Sequence, residues 1–117
     1  MKTRGTTVRF YRRSDGALTG YCACGHSGYA DAGRDIVCAA ISALTQSTLN
    51  GLKNILKAPV MFDQDDQQPL IEARLTPEAT EEQVQKAQIL LETLLQGLQA
   101  IQRESPQNLT IIFQERR

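Results

Sequence analysis

The chain has no tryptophan, and aromatic residues make up only 5% of its 117 positions, so its interior must be built mainly from aliphatic side chains. It has one histidine and three cysteines. An odd and small cysteine count does not make a disulfide framework, so reduced thiols and a cytoplasmic setting are expected. Neither sign of charge is in excess: 13 Lys and Arg balance 13 Asp and Glu. The basic residues are scattered rather than gathered into an arm or patch, which argues against direct nucleic-acid binding. No apolar run approaches the roughly 20 residues that cross a bilayer, so no membrane role is expected. The opening Met1-Lys2-Thr3-Arg4-Gly5-Thr6 also lacks the apolar segment of a secretory signal. What is present, 41% hydrophobic and 22% charged residues, suits a single soluble domain over 1–117 with one modest core.

Thr6 to Arg12 is rich in β-branched and aromatic residues and reads as a strand. Asp15-Gly16 marks a turn, after which Leu18 to Gly25 returns antiparallel. In that second strand Tyr21, Ala23 and Gly25 should share one face, with Cys22, Cys24 and His26 on the other. From Asp35 the pattern becomes helical, with Val37, Ile41, Leu44, Thr48, Leu52 and Ile55 forming a stripe. Asp35 is placed at or beside the N-cap, Asn50-Gly51 is a weak point or the end of regular helix, and Pro59 is a stop. Val60-Met61-Phe62 is read as a short strand, 63–69 as a polar tip, and Leu70 to Leu75 as its hairpin partner. The three acidic residues of the tip lack the ligand spacing of a calcium loop and read as a solvated turn. Thr80-Glu81-Glu82-Gln83 has the form of a capping box. It opens the longest helix, whose stripe is Val84, Ala87, Leu91, Leu94, Leu98 and Ile101, widened by Leu90 and Leu95. Leu109 to Phe113 closes the chain as a strand. The expected fold is α+β: a mostly antiparallel sheet of about five strands with two amphipathic helices on one face.

His26 and Cys38 carry the chemistry. A thiol needs a base to become a nucleophile near neutral pH, and histidine is the usual one. Gly28 and Gly33 allow the segment between them to bend and bring the two together. Cys38 is placed about three residues into the helix, where backbone N–H groups and the macrodipole favour a thiolate. Asp35 and Ser42 lie one turn before and after Cys38, where they can orient the base or hydrogen-bond into the site. The bland readings stand beside these: a hydrogen-bonded structural histidine, a buried cysteine, a capping aspartate, and a serine bonded back to the helix carbonyl. Cys22, Cys24, His26 and Cys38 are also four candidate zinc ligands. Their Cys-x-Cys-x-His spacing is not that of a zinc knuckle, and a straight strand sets same-face residues nearly 7 Å apart. No metal or other cofactor is expected.

Gly25-His26, followed by Gly33-x-Asp35-Ile36-Val37-Cys38-Ala39-Ala40-Ile41-Ser42, resembles the signature of the bacterial ribosomal-processing cysteine proteases, the Prp family. The likeness extends over nearly the whole chain, including Asn50-Gly51-Leu52 and the leucine-rich second helix. It implies a cysteine endopeptidase that removes a short N-terminal extension from a large-subunit ribosomal protein, the twenty-seventh. The family's nucleophile falls on Cys38, its base on His26, and its motif aspartate and serine on Asp35 and Ser42. The resemblance also implies a homodimer and a mobile segment, containing Gly28 and Gly33, that admits the peptide. Cys22 and Cys24 lie outside the signature. The rival from another class is a non-enzymatic ribosome-associated binding module, which would need neither His26 nor Cys38.

Overall fold

The computed structural model describes residues 5–25, 32–65 and 70–116, with the side chains of 32–35 outside that description. Strand β1 (Thr6–Arg12) alternates strictly at first, burying Thr6, Val8 and Phe10. Strand β2 (Leu18–Cys24) runs antiparallel beside it. The turn between them is closed by the Arg13 N–H donating to the Ala17 carbonyl and the Gly16 N–H to the Arg13 carbonyl, and Gly16 adopts a φ of 93° there. The Asp15 carboxylate accepts from the Ala17 N–H at 3.1 Å, which stabilises the turn from within.

Helix α1 (Ala32–Asn50) continues without a break into one π-helical turn over Gly51–Ile55. Asn50-Gly51 is thus where the regular α-helix ends and the wider turn begins. Lys57 takes the left-handed conformation at φ 58°, and the Ala58 N–H reaches back to the Leu52 carbonyl at 3.0 Å, a Schellman-type closure just before Pro59. The wider turn shifts the helical register. Ile55 is consequently 82% exposed instead of completing the stripe, while Leu56 packs against the core. Upstream, Val37, Ile41, Thr48 and Leu52 are buried as the spacing predicts, joined by Thr45 and Leu49.

Strand β3 (Val60–Asp65) is longer than its apolar start suggests. Asp63, Gln64 and Asp65 are strand residues because β4 (Leu70–Leu75) supplies ladder partners for each: Glu72, Ile71 and Leu70. Helix α2 (Glu81–Glu104) begins with the expected capping box. The Thr80 hydroxyl accepts from the Gln83 N–H, and the Gln83 side chain accepts from the Thr80 N–H. Its buried face is Val84, Ala87, Leu91, Leu94 and Leu98, with Ile101 partly covered. Strand β5 (Leu109–Glu115) pairs parallel to β1, so the five-stranded sheet has the order β3-β4-β2-β1-β5 and one parallel junction.

Both helices cover one face of this sheet. Val8, Phe10, Tyr21, Ala23, Ile71, Ala73 and Leu109 meet Leu52, Leu91, Leu94 and Leu98 in a single core. Each fully buried aliphatic or aromatic side chain contributes roughly 1.5–3 kcal/mol. The sheet is drawn close at Gly20, where a Cβ would collide with the Ala73 carbonyl and Arg74 backbone of β4. The helices approach at Gly97, where a Cβ would press the Leu44 side chain at 3.1 Å. The expected α+β architecture, with a mostly antiparallel sheet and both helices on one face, is the observed one.

Candidate active site

A cavity of about 260 Å³ opens where β2 ends, walled by α1 on one side and by the outer ends of β3 and β4 on the other. Cys24 and Gly25 line it from the strand, and Cys38, Ser42, Thr45 and Gln46 from the helix. Gln64, Asp65 and Leu70 close the far wall. Cys38 is half-buried, accessible to a ligand in the cavity yet anchored by the buried Val37 and Ile41 beside it.

Gly25 fixes where the chain goes next. Its φ of 85° is a conformation that L side chains rarely adopt, and it turns the backbone off β2 immediately before residue 26. The Thr6 hydroxyl donates to the Gly25 carbonyl at 3.3 Å and ties this corner to β1. His26 and Gly28 themselves lie outside the described residues. The point at which His26 is attached is nonetheless on the wall of the cavity that Cys38 lines.

Helix α1 begins at Ala32, earlier than the apolar pattern indicates. Gly33 is therefore in its first turn rather than in a hinge loop, and Asp35 is the fourth helical residue rather than the cap. Glycine is cheap in a first turn, and an acidic residue suits the positive end of the helix, so both types are compatible with helix there. The Asp35 side chain lies outside the described residues. Cys38 is consequently in the second turn, beyond the reach of most of the macrodipole. What helps instead is direction. A helical Cβ tilts toward the N-terminus, so the Cys38 side chain leans back toward the first turn.

Ser42 lies one turn after Cys38 on the same cavity wall, as its spacing predicts. Its hydroxyl accepts from Gln46 Nε2 at 3.2 Å. Gln46 is a site residue that the motif reading missed. The available signal was the row Cys38, Ser42, Gln46 at successive four-residue steps, a polar stripe beside the apolar one.

One buried hydroxyl ties β2 to α1, and a second bonds within the helix beside it. Tyr21 is fully buried, and its hydroxyl donates to the Thr45 carbonyl at 2.6 Å. Burial drives the Tyr21 hydroxyl well above its ordinary pKa, so it remains a donor throughout the working range. Thr45 bonds back to the Ile41 carbonyl at 2.9 Å. Tyr21 is therefore a strut between the strand that leads to His26 and the helix that carries Cys38.

The alternation expected in β2 is observed: Tyr21 and Ala23 face the core, while Cys22 pairs with Arg9 and Glu72 on the open face of the sheet. Cys22 and Cys38 therefore have the sheet between them and do not share a site. Burial, reinforced by the neighbouring Cys24 and Glu72, pushes the Cys22 thiol up to about 11. It is the least nucleophilic kind of cysteine.

A model of one protein family, described as cysteine protease Prp, matches residues 6–110. No curated protein matches the chain. Among solved structures, the Staphylococcus aureus essential ribosomal-processing protease Prp bound to a substrate peptide is similar with a TM-score of 0.80 and 26% identity, covering 93% of this chain and 99% of that one. The same S. aureus protease with a covalently linked product peptide gives a TM-score of 0.78 at 27% identity, with the same coverage. A Streptococcus mutans protein, SMU.848, gives 0.81 at 27% identity and covers 97% of both chains.

Proposed function

This chain belongs to the Prp family of cysteine proteases, which act in ribosomal processing, and on that premise we propose that it is an endopeptidase using Cys38 as nucleophile and His26 as base. Its substrate in this reading is the short N-terminal extension of the twenty-seventh large-subunit ribosomal protein, and it works in the cytoplasm as a homodimer. The observation that carries the reading is the shared cavity: Cys38 on α1 and the Gly25 turn leading into His26 line the same space.

In the first step His26 removes the Cys38 proton, and the thiolate attacks the carbonyl carbon of the scissile bond. Backbone N–H groups near the start of α1, the end toward which the Cys38 side chain leans, stabilise the oxyanion in this reading. A well-aimed donor of this kind is worth roughly 3–4 kcal/mol. His26 then protonates the leaving amine, and water, deprotonated by the same imidazole, releases the acyl group. Asp35 orients the imidazole or the backbone that carries it. Ser42, held by Gln46, presents a hydroxyl beside the thiol for a backbone group of the peptide. The covalently linked product peptide of the S. aureus relative supports an acyl-enzyme course, since such a link is what nucleophilic catalysis forms.

The test is incubation of the purified protein with a peptide spanning the ribosomal-protein extension, alongside the Cys38→Ala variant, read by mass spectrometry. A single cut made only by the unmutated protein is the expected result. No cut by either, with the peptide intact and the protein folded, overturns the reading in favour of a binding module.

A further inference from the structure

We propose that a second cavity, at the other end of β2 from Cys38, is a binding site for an organic anion: a carboxylate or phosphate carried on an apolar body. This cavity measures about 400 Å³, within the range of small-ligand sites. Thr19 lines it, whereas Cys24 lines the first cavity, and five residues of strand put the two sites roughly 17 Å apart.

Its lining has two chemistries. Met61, Leu75, Pro77 and Val84 make an apolar floor where the ends of β3 and β4 meet the start of α2. Arg13, Arg74 and Arg116 are among its lining residues, and no Asp or Glu is among the described ones. The three arginines are not equivalent. Arg13 is already engaged, with Asp15 at 2.7 Å and Glu81 at 2.9 Å. Arg116 packs over the Tyr11 ring, 4.7 Å from its centroid, a contact that leaves N–H donors at its edge.

Arg74 is the least tightly held. Its Nε is ion-paired with Glu72 at 3.4 Å, in a geometry that does not make a hydrogen bond. Among the described residues its Nη2 meets the Met61 sulfur at 3.5 Å, and sulfur is a weak acceptor. Glu72 is shared, because it also accepts from the Tyr11 hydroxyl at 3.1 Å. A guanidinium offers five donors in a planar fork that matches carboxylate and phosphate. An oxyanion reaching across Tyr11 to both Arg74 and Arg116 would satisfy these donors while its apolar body covers the floor. Nothing in this site depends on His26 or Cys38.

The probe is phenyl phosphate, titrated into the full chain and followed by amide chemical shifts, with benzyl alcohol as neutral counterpart and inorganic phosphate as bare anion. The expected result is saturable shifts at residues 74–79 and 116, no comparable binding of benzyl alcohol, and weaker binding of inorganic phosphate. Arg74→Gln should weaken phenyl phosphate roughly tenfold or more, the loss of a charge-assisted hydrogen bond. Arg116→Gln provides the same test if Arg74→Gln does not fold, and Arg103→Gln, at the far end of α2, is the control. Phenylacetate in place of phenyl phosphate separates a carboxylate ligand from a phosphate ligand, and tighter binding of either supports the site. Absence of saturable shifts at millimolar concentrations overturns the proposal. So do equal affinities for benzyl alcohol and phenyl phosphate, or equal effects of Arg74→Gln and Arg103→Gln.

Discussion

Removing one oxygen atom, in Tyr21→Phe, tests whether α1 is held in place by a hydrogen bond rather than by apolar packing alone. The change leaves the ring and its contact with Phe10, at a centroid distance of 6.4 Å, intact. It deletes only the donor to the Thr45 carbonyl. A buried hydrogen bond contributes a net 0.5–1.5 kcal/mol, roughly. The middle of that range, about 1 kcal/mol, is the expected cost. For a chain of this length that corresponds to a fall of roughly 4 °C in melting temperature. The functional effect should be larger than the stability effect. With the strut gone, α1 can slide along β2, and a displacement of about 1 Å between reacting groups can cost 100-fold in rate. A loss of roughly tenfold in kcat/KM, mostly in kcat, is expected in a peptide-cleavage assay, with urea unfolding measured in parallel. Tyr11→Phe is the comparison, because Tyr11 also donates a hydrogen bond, to Glu72, but on the face without helices. It should lose stability without losing kcat. Full activity in Tyr21→Phe at the expected stability loss refutes the positioning argument, and no stability loss refutes the energetic one.

Cys38→Ala should abolish cleavage while the melting temperature stays within about 3 °C, since the side chain is half-buried and small; loss of folding would mark a structural cysteine instead. Gly25→Ala forces an L side chain into a left-handed conformation, at a cost of roughly 1–2 kcal/mol. It should also lower kcat by re-aiming residue 26, which circular dichroism melts and peptide cleavage would separate. Cys22 should be the last of the three thiols alkylated by iodoacetamide at neutral pH, as read by peptide mass mapping. Its folded-state value, about 11 against an ordinary 9.0, also predicts a pH effect. Between those values the unfolded chain loses its proton first, so stability should fall as pH rises from about 9 to 11, and Cys22→Val should flatten that fall in denaturant melts.

Much of the fold was legible because its signals are local. The Thr80–Gln83 capping box, the Asp15-Gly16 turn and the period of α2 each act within a few residues, and each is observed where it was expected. Ile55 and β3 were misjudged for the opposite reason. The exposure of Ile55 follows from a π turn, and the strand character of Asp63–Asp65 follows from pairing with β4. Neither cause is visible in the residues' own neighbourhood.

For the site, residue types and spacing alone determined the candidates. One histidine, and a cysteine twelve positions later followed by a serine one turn on, made Cys38 the candidate nucleophile and placed Ser42 one helical turn from it. The alternation of β2 likewise separated Cys22 from the core face in advance of any coordinates. Only the tertiary structure decided that Gly33 and Asp35 belong to the first turn of α1 and that Tyr21 ties that helix to β2. It alone gathered Arg13, Arg74 and Arg116, scattered over a hundred residues of sequence, around one cavity. Helical and strand periods are set by the backbone and can be read from the chain, whereas which distant side chains meet is set by sheet order and register, which depend on the packing of the whole domain.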